Sequence, residues 1–210
     1  MRRRTFLATA ALAALFPAFA AHAAAPQINV DEILNDPAAP VAGDPKGDVS
    51  IVAFLDYNCP FCKKATPALA KAVKEDGHTR LVYKDWPILA PSSVDGARFA
   101  LAAKYQDKYE EAHAAMMALK GRSTAEQMRK AVAGAGVDMA RLDADLSAHG
   151  AEIMALIKRN NAEAESLGLQ GTPVFLIGPF KVAAAIDYDE FKRVIEQARA
   201  RQKGAEPSAQ

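Results

Sequence analysis

The sequence predicts an α/β fold in which a βαββα sheet core is split by a long helical block. Three observations carry this. An apolar run, Val49 to Leu55, is followed directly by a helical stretch from Pro60, and a second β-favouring run starts at Thr79. Residues 92 to 169 are then alanine-rich and apolar at helical spacing. Strand character returns at Thr172 to Ile177, followed by a last helix. The helical block lies inside the chain, so the segments on either side of it must build one sheet together. The 210 residues suit one compact domain with a large insertion.

The elements follow in order. Arg2-Arg3-Arg4, the alanine- and leucine-rich segment Thr5 to Phe19 and the small residues Ala21-His22-Ala23 read as a secretory signal over 1–23. Arg3-Arg4-Thr5-Phe6-Leu7 also resembles a twin-arginine signal, and an ordinary secretory signal with three arginines is the alternative. Residues 24–48 are rich in proline (Pro26, Pro37, Pro40, Pro45) and read as an extended lead-in with at most a short helix at Asp31 to Asn35. Val49 to Asp56 is a strand, Pro60 to Asp76 a helix stopped by Gly77, and Thr79 to Trp86 a second strand ended by Pro87 and Pro91. The core is thus 49–91 and 171–202, and the helical insertion is 92–170.

Within the insertion, Ser93 is placed as the cap of a helix from Val94 to Tyr105, and a second helix runs from Asp107 to Lys120. Ser123 with Glu126 forms a capping box, Asp138 caps the next helix, and Ala151 to Leu167 is a further helix closed by Gly168. Lys181 to Ile186 is the hairpin partner of the late strand. Asp187 with Glu190 opens the last helix, to about Arg201, and 203–210 is a polar tail.

Cys59 and Cys62 are the only cysteines, in the order Cys59-Pro60-Phe61-Cys62, so a disulfide within one chain must join them. A dithiol at a strand-to-helix turn is a redox device. With Cys59 at the N-cap, Pro60 falls at the first helical position, where its missing N–H costs nothing. The N–H groups of Phe61 and Cys62 then face the Cys59 sulfur, and the helix dipole favours a thiolate there. Cys62 lies one turn further in. Cys59 is therefore read as the attacking sulfur and Cys62 as the resolving one, working through a mixed disulfide. Pro67 should kink the same helix. Gly171-Thr172-Pro173 opens the late strand. A cis Pro173 would free the Thr172 backbone to pair with an extended substrate and set an uncharged ring beside the sulfurs.

Asp56-Tyr57-Asn58-Cys59-Pro60-Phe61-Cys62-Lys63, Pro67 and Thr172-Pro173 together resemble the DsbA family of thioredoxin-fold disulfide oxidoreductases. Phe54 to Cys59 and Tyr83-Lys84-Asp85-Trp86-Pro87-Ile88-Leu89 are most similar to its ScsC-type branch. The resemblance spans roughly 41 to 200. It implies a thioredoxin fold with an inserted all-helical domain, catalysis by Cys59 and Cys62, and substrate contacts at Pro60, Phe61, Thr172 and Pro173. It also implies a periplasmic location, cysteine-containing exported proteins as substrates, and a membrane redox partner, DsbB-like or DsbD/ScsB-like.

Two departures stand out. Family members often carry a buried acid where this chain has Ala53, so the Cys62 proton must pass to water or another group. Asp56 and Lys84 are candidates, read first as surface charges at strand ends. Phe61 stands where DsbA has a histidine, and it adds no positive charge.

The near-zero net charge, +1, argues against nucleic acid as the main partner. No metal and no cofactor beyond the Cys59–Cys62 disulfide is expected. The lead-in is too short and proline-rich for an oligomerisation stalk, so a monomer is expected. Two alternatives remain at this stage: a reductase or isomerase fed by a membrane electron donor, and a Cu(I)-binding protein of copper tolerance. Zinc fits poorly, since His78, His113 and His149 are scattered and read as solvated or internally satisfied.

Overall fold

A computed structural model of the protein describes residues 29–205, so the expected signal segment 1–23 and residues 206–210 lie outside it. The elements are α1 (Val30–Asn35), β1 (Val41–Gly43), β2 (Val49–Leu55), α2 (Pro60–Asp76), β3 (Thr79–Asp85), α3 (Pro91–Ala103), α4 (Tyr109–Met117), α5 (Ala125–Gly134), α6 (Met139–Ala148), α7 (Gly150–Ser166), β4 (Val174–Ile177), β5 (Phe180–Val182) and α8 (Tyr188–Ala205). A 3₁₀ turn, Lys104–Gln106, follows α3. The sheet order is β1-β3-β2-β4-β5. Strands β2 and β3 are parallel and every other pair is antiparallel. Strands from both sides of the helical block therefore share one sheet.

Strand β2 sits at the centre, covered on both faces, which is why its sequence is almost continuously apolar. Its alternate residues feed two cores. Val49, Ile51, Ala53 and Leu55 pack with Leu69 and Val73 of α2, Phe191 and Ile195 of α8, and the helical block. Val52 and Phe54 point the other way, to Ile33 of α1, Ala164 of α7 and Trp86. Ile51 is fully buried, and truncating such a residue to alanine costs about 2–5 kcal/mol.

Helix α2 begins and ends as its sequence demands. Cys59 is its N-cap, Pro60 its first residue, and Gly77 its left-handed cap at φ +70°, donating to the Val73 carbonyl at 3.2 Å. The helix continues through Pro67, which leaves the Lys63 carbonyl without its usual donor. The helical block is held close to the dithiol loop by Gly96 on α3. A Cβ there would meet the Met128 sulfur at 2.7 Å and the Tyr57 ring at 3.1 Å, so only glycine lets the three meet.

Several expected boundaries move. The lead-in is not merely extended, since Val41–Gly43 forms an edge strand on β3, with Val41 opposite Val82. Three residues beside Pro40 carry no periodicity, so only tertiary pairing reveals them. Helix α3 starts at Pro91 with Ala90 at the N-cap, and Ser93 is buried inside it rather than capping it. The capping box is Thr124 with Gln127, one residue later than the Ser123–Glu126 pair, because Ser123 is turned inward and buried. Helix α4 is shorter than expected, and α8 runs on to Ala205, into the segment read as a tail. Asp138 does cap α6, and Asp187 and Glu190 do bond reciprocally at the start of α8.

Candidate active site

The two cysteines are free thiols in unequal surroundings. Cys59 Sγ accepts from the Cys62 backbone N–H at 3.3 Å, as a capping oxygen would, and in its thiol form donates to the Thr172 carbonyl at 3.2 Å. Its pKa is lowered to about 6, first by the Cys62 thiol as donor, against the opposing effect of burial. Thr172 and the N–H groups of Cys62 and Phe61 add to the lowering. Cys62 is fully buried, and burial pushes its pKa far up, with the Cys59 thiolate adding to the rise. One sulfur is thus an anion at neutral pH and its neighbour keeps its proton.

The loop before Cys59 is fixed from below. Asp56 is fully buried, and its carboxylate accepts from the N–H groups of Asn58 at 2.6 Å, Ile88 at 2.8 Å and Leu89 at 2.9 Å, and from the Ser93 hydroxyl at 2.7 Å. Asn58 donates to the hydroxyls of Ser92 and Ser93 and accepts from the Ser123 N–H at 2.7 Å. These bonds tie the dithiol turn to β3's exit and to the helical block. The reading of Asp56 and Lys84 as surface charges is therefore wrong: both are completely buried. Lys84 Nζ reaches Glu163 at 2.8 Å and Asp36 at 3.9 Å, joining β3 to α7 and α1. Each charge sits where a neighbouring element supplies partners, which a single stretch of sequence does not reveal.

Ala53 lies in the sheet opposite Tyr83 and Phe175, fully buried. A buried carboxylate stands instead at Asp85, on the neighbouring strand and opposite Leu55. Burial raises its pKa to about 7, against hydrogen bonds from Tyr57 and Tyr109. Tyr109 donates to both carboxylate oxygens, at 3.1 and 3.2 Å. Tyr57 Oη lies 3.0 Å from His113 Nδ1, and burial lowers the His113 pKa to about 3, keeping the ring neutral. His113 is thus a core histidine.

Lys63, the residue after Cys62, has a role in the site that its place in the motif does not itself state. Its Nζ donates to the Gly121 carbonyl at 2.6 Å, and burial lowers its pKa against the opposing charges of Asp56 and Cys59. It supplies a cation beside the thiolate that Phe61 does not. The signal was present as the residue after Cys62, one helical turn from Cys59.

Thr172–Pro173 is a cis bond, and Thr172 meets Cys59 directly, while Cys62 also feels the Thr172 side chain. Phe61 is 61% exposed. Phe61, Thr172 and Pro173 line one open groove, of about 640 Å³, and Pro60 lines a second, of about 500 Å³. Of the six residues singled out from the sequence, Cys59, Cys62 and Thr172 meet directly, Phe61 and Pro173 share a groove with Thr172, and Pro60 lines the other groove. Among the described residues no cluster of three or more histidine, cysteine or carboxylate side chains is placed to hold a metal. No helix among them is long and apolar enough to cross a membrane.

Comparison with known proteins agrees with this geometry. The chain is 38% identical to a thioredoxin-like oxidoreductase of known structure from Silicibacter pomeroyi, with a TM-score of 0.76 over 82% of this chain and 98% of that one. The catalytic domain of ScsC from Proteus mirabilis is 26% identical, with a TM-score of 0.72 over 81% of this chain and 94% of that one. The thiol:disulfide interchange protein DsbA of Bordetella parapertussis is 27% identical over 94% of this chain and 97% of its own length. Na(+)/H(+) antiporters named NhaA 1, as in Mycobacterium sp. (strain KMS), are 28% identical over 70% of this chain, which spans 25% of their length. A family model described as "Thioredoxin" matches residues 35–197, and the chain belongs to the thioredoxin family, with DsbA-like and ScsC proteins as its structural neighbours.

Proposed function

We propose that this chain is an exported thiol-disulfide oxidoreductase that exchanges disulfides with cysteine-containing proteins through Cys59 and Cys62. The observation that carries this is the asymmetry of the dithiol. Cys59 is held as a thiolate at a helix start beside Thr172, and Cys62 is buried and protonated. Exchange requires one sulfur that attacks and leaves easily, and a second that resolves the intermediate.

In the oxidising direction, a substrate thiolate attacks Cys59 Sγ of the disulfide, and Cys62 leaves as a thiolate and takes up a proton. A second substrate thiolate then attacks the substrate sulfur of the mixed disulfide and expels the Cys59 thiolate. The substrate gains a disulfide and the protein gains two thiols, so two electrons move. In reverse, the Cys59 thiolate attacks a substrate disulfide, and Cys62 loses its proton as it displaces the substrate from Cys59. The Cys59 thiolate is the better leaving group at neutral pH, which favours its place in the mixed disulfide. Pro60, Phe61, Thr172 and Pro173 form the substrate-facing surface. Return to the starting state calls for a redox partner, DsbB-like or DsbD/ScsB-like, in the membrane facing the periplasm. A solved neighbour, 29% identical, is described as a periplasmic thioredoxin-like protein, which supports the periplasmic part of this setting.

The test is catalysis of insulin reduction by dithiothreitol, with Cys59→Ser as the control. Precipitation of the insulin chains faster than with dithiothreitol alone, abolished in Cys59→Ser, is expected. Identical rates with and without the protein, together with no oxidation of a dithiol peptide by its oxidised form, would sink the assignment.

A further inference from the structure

The rim of the dithiol carries charge of one sign. The groove beside Phe61 and Thr172 is lined by Lys64 and Lys181 and by small apolar residues, Ala183, Ala184 and Ala185. The groove beside Pro60 is lined by Lys63, Lys64 and Lys120. Lys64 belongs to both, so the two grooves adjoin along the first turns of α2. Neither groove has an aspartate or glutamate in its lining among the described residues. Lys64, Lys120 and Lys181 are exposed and form no ion pair among the described residues. Elsewhere cations are commonly matched: Lys71, Lys108, Arg129, Arg159 and Arg199 each pair with a carboxylate. The whole chain carries only +1, so this concentration is local.

A second observation places a polypeptide there. Thr172 and Pro173 line the Phe61 groove, and Thr172 also meets Cys59. The exposed ring of Phe61 stands at the same edge. Small apolar residues and an exposed aromatic beside the sulfur suit an extended chain, whose alternate side chains point into and out of such a groove.

We propose that the dithiol selects cysteines lying in acidic, extended segments, with carboxylates on either side of the reacting cysteine meeting Lys64 and Lys181 on one flank and Lys63 and Lys120 on the other. This rests on the oxidoreductase reading above and names its substrate class. One residue of extended chain advances about 3.3 Å, so the positions flanking a bound cysteine run along these two grooves. Field lines focused into clefts of one sign raise association rates by about 10- to 1,000-fold at low salt. Screening removes the effect as the Debye length falls to about 3 Å near 1 M salt.

The experiment uses the oxidised full chain and three synthetic dithiol peptides, identical except for Glu, Gln or Lys at positions flanking the first cysteine. Neighbouring charges alter the peptide thiol itself, so each second-order rate is divided by that of the same peptide with uncharged hydroxyethyl disulfide. The expected order of normalised rates is Glu, then Gln, then Lys, with about tenfold between the first two at low salt. Near 1 M salt the three converge to within about twofold. In the K64E/K181E double variant, both changes being at exposed positions, the order inverts. Equal or reversed normalised rates in the wild type overturn the proposal, as does an order that survives unchanged in the double variant. Failure to exchange with all three peptides and with dithiothreitol contradicts the oxidoreductase reading itself. Exchange with all three at one normalised rate contradicts only the acidic-segment assignment.

Discussion

Replacing Cys62 by alanine tests the electrostatics of the dithiol most sharply. The largest contribution to the low Cys59 pKa is the hydrogen bond from the Cys62 thiol. A hydrogen bond to a charged acceptor is worth about 1.5–3 kcal/mol, and one pKa unit is about 1.4 kcal/mol. Losing it should raise the Cys59 pKa by about 1–2 units, from about 6 to between about 7 and 8. The backbone N–H of residue 62, at 3.3 Å, survives the change and prevents a full return to the ordinary thiol value. At pH 6 the thiolate fraction then falls from about half to less than about a tenth, so alkylation of Cys59 by iodoacetamide slows roughly fivefold to fiftyfold. Near pH 9 the two proteins converge. Cys62→Ser keeps a hydroxyl donor and should stay nearer to about 6. An alanine variant that titrates at or below the wild-type value would show that the thiol donor does not hold the charge, and that the helix start alone does.

Three further outcomes follow from the same contacts. Phe61→His places a cation-forming ring beside the thiolate and should lower the Cys59 pKa, read from thiolate absorbance, and an unchanged value means that residue 61 does not tune the site. Asp56→Ala orphans three backbone N–H groups and the Ser93 hydroxyl, and should cost about 3–5 kcal/mol in urea unfolding. A loss under about 1 kcal/mol would mean these bonds do not hold the loop. Asp85 has its folded pKa raised to about 7 from 3.8, so its contribution to stability is fully present below about pH 4 and is lost as pH rises through about 7. Asp85→Asn should therefore stabilise the protein increasingly between pH 5 and pH 8, by up to roughly 4 kcal/mol at the top of that range, measured by unfolding at fixed temperature. A pH-independent difference refutes the raised pKa.

The parts legible in the sequence are those set by local chemistry. Cys59 as an N-cap, Pro60 at the first helical position and Gly77 at the end of α2 each follow from neighbours in the chain. The continuous apolar run of β2 announces a strand covered on both faces. Long-range contacts were not legible. Asp56 and Lys84 look like charges at strand ends until Ser93, Ile88 and Leu89 close around one, and Glu163 and Asp36 around the other. Ser93 was misplaced for the same reason: its hydroxyl serves Asp56, 37 residues away, instead of its own helix. Strand β1 is three residues held by pairing with β3, with no pattern of its own. The missing acid at Ala53 was visible, but Asp85, opposite Leu55 on the next strand, required the register.

The reduction potential of the Cys59–Cys62 pair, measured against glutathione buffers across pH, tests the central claim most directly. Lowering one thiol from 9.0 to about 6 stabilises the reduced form at pH 7 by about tenfold, which raises the potential by about 30 mV. The predicted potential lies between the thioredoxin value of about −270 mV and the DsbA value of about −120 mV. Its pH slope should halve on rising through about pH 6, where the reduced protein begins to bind one proton fewer. A potential below about −300 mV, as for structural disulfides, or a slope with no break near pH 6, would contradict the account.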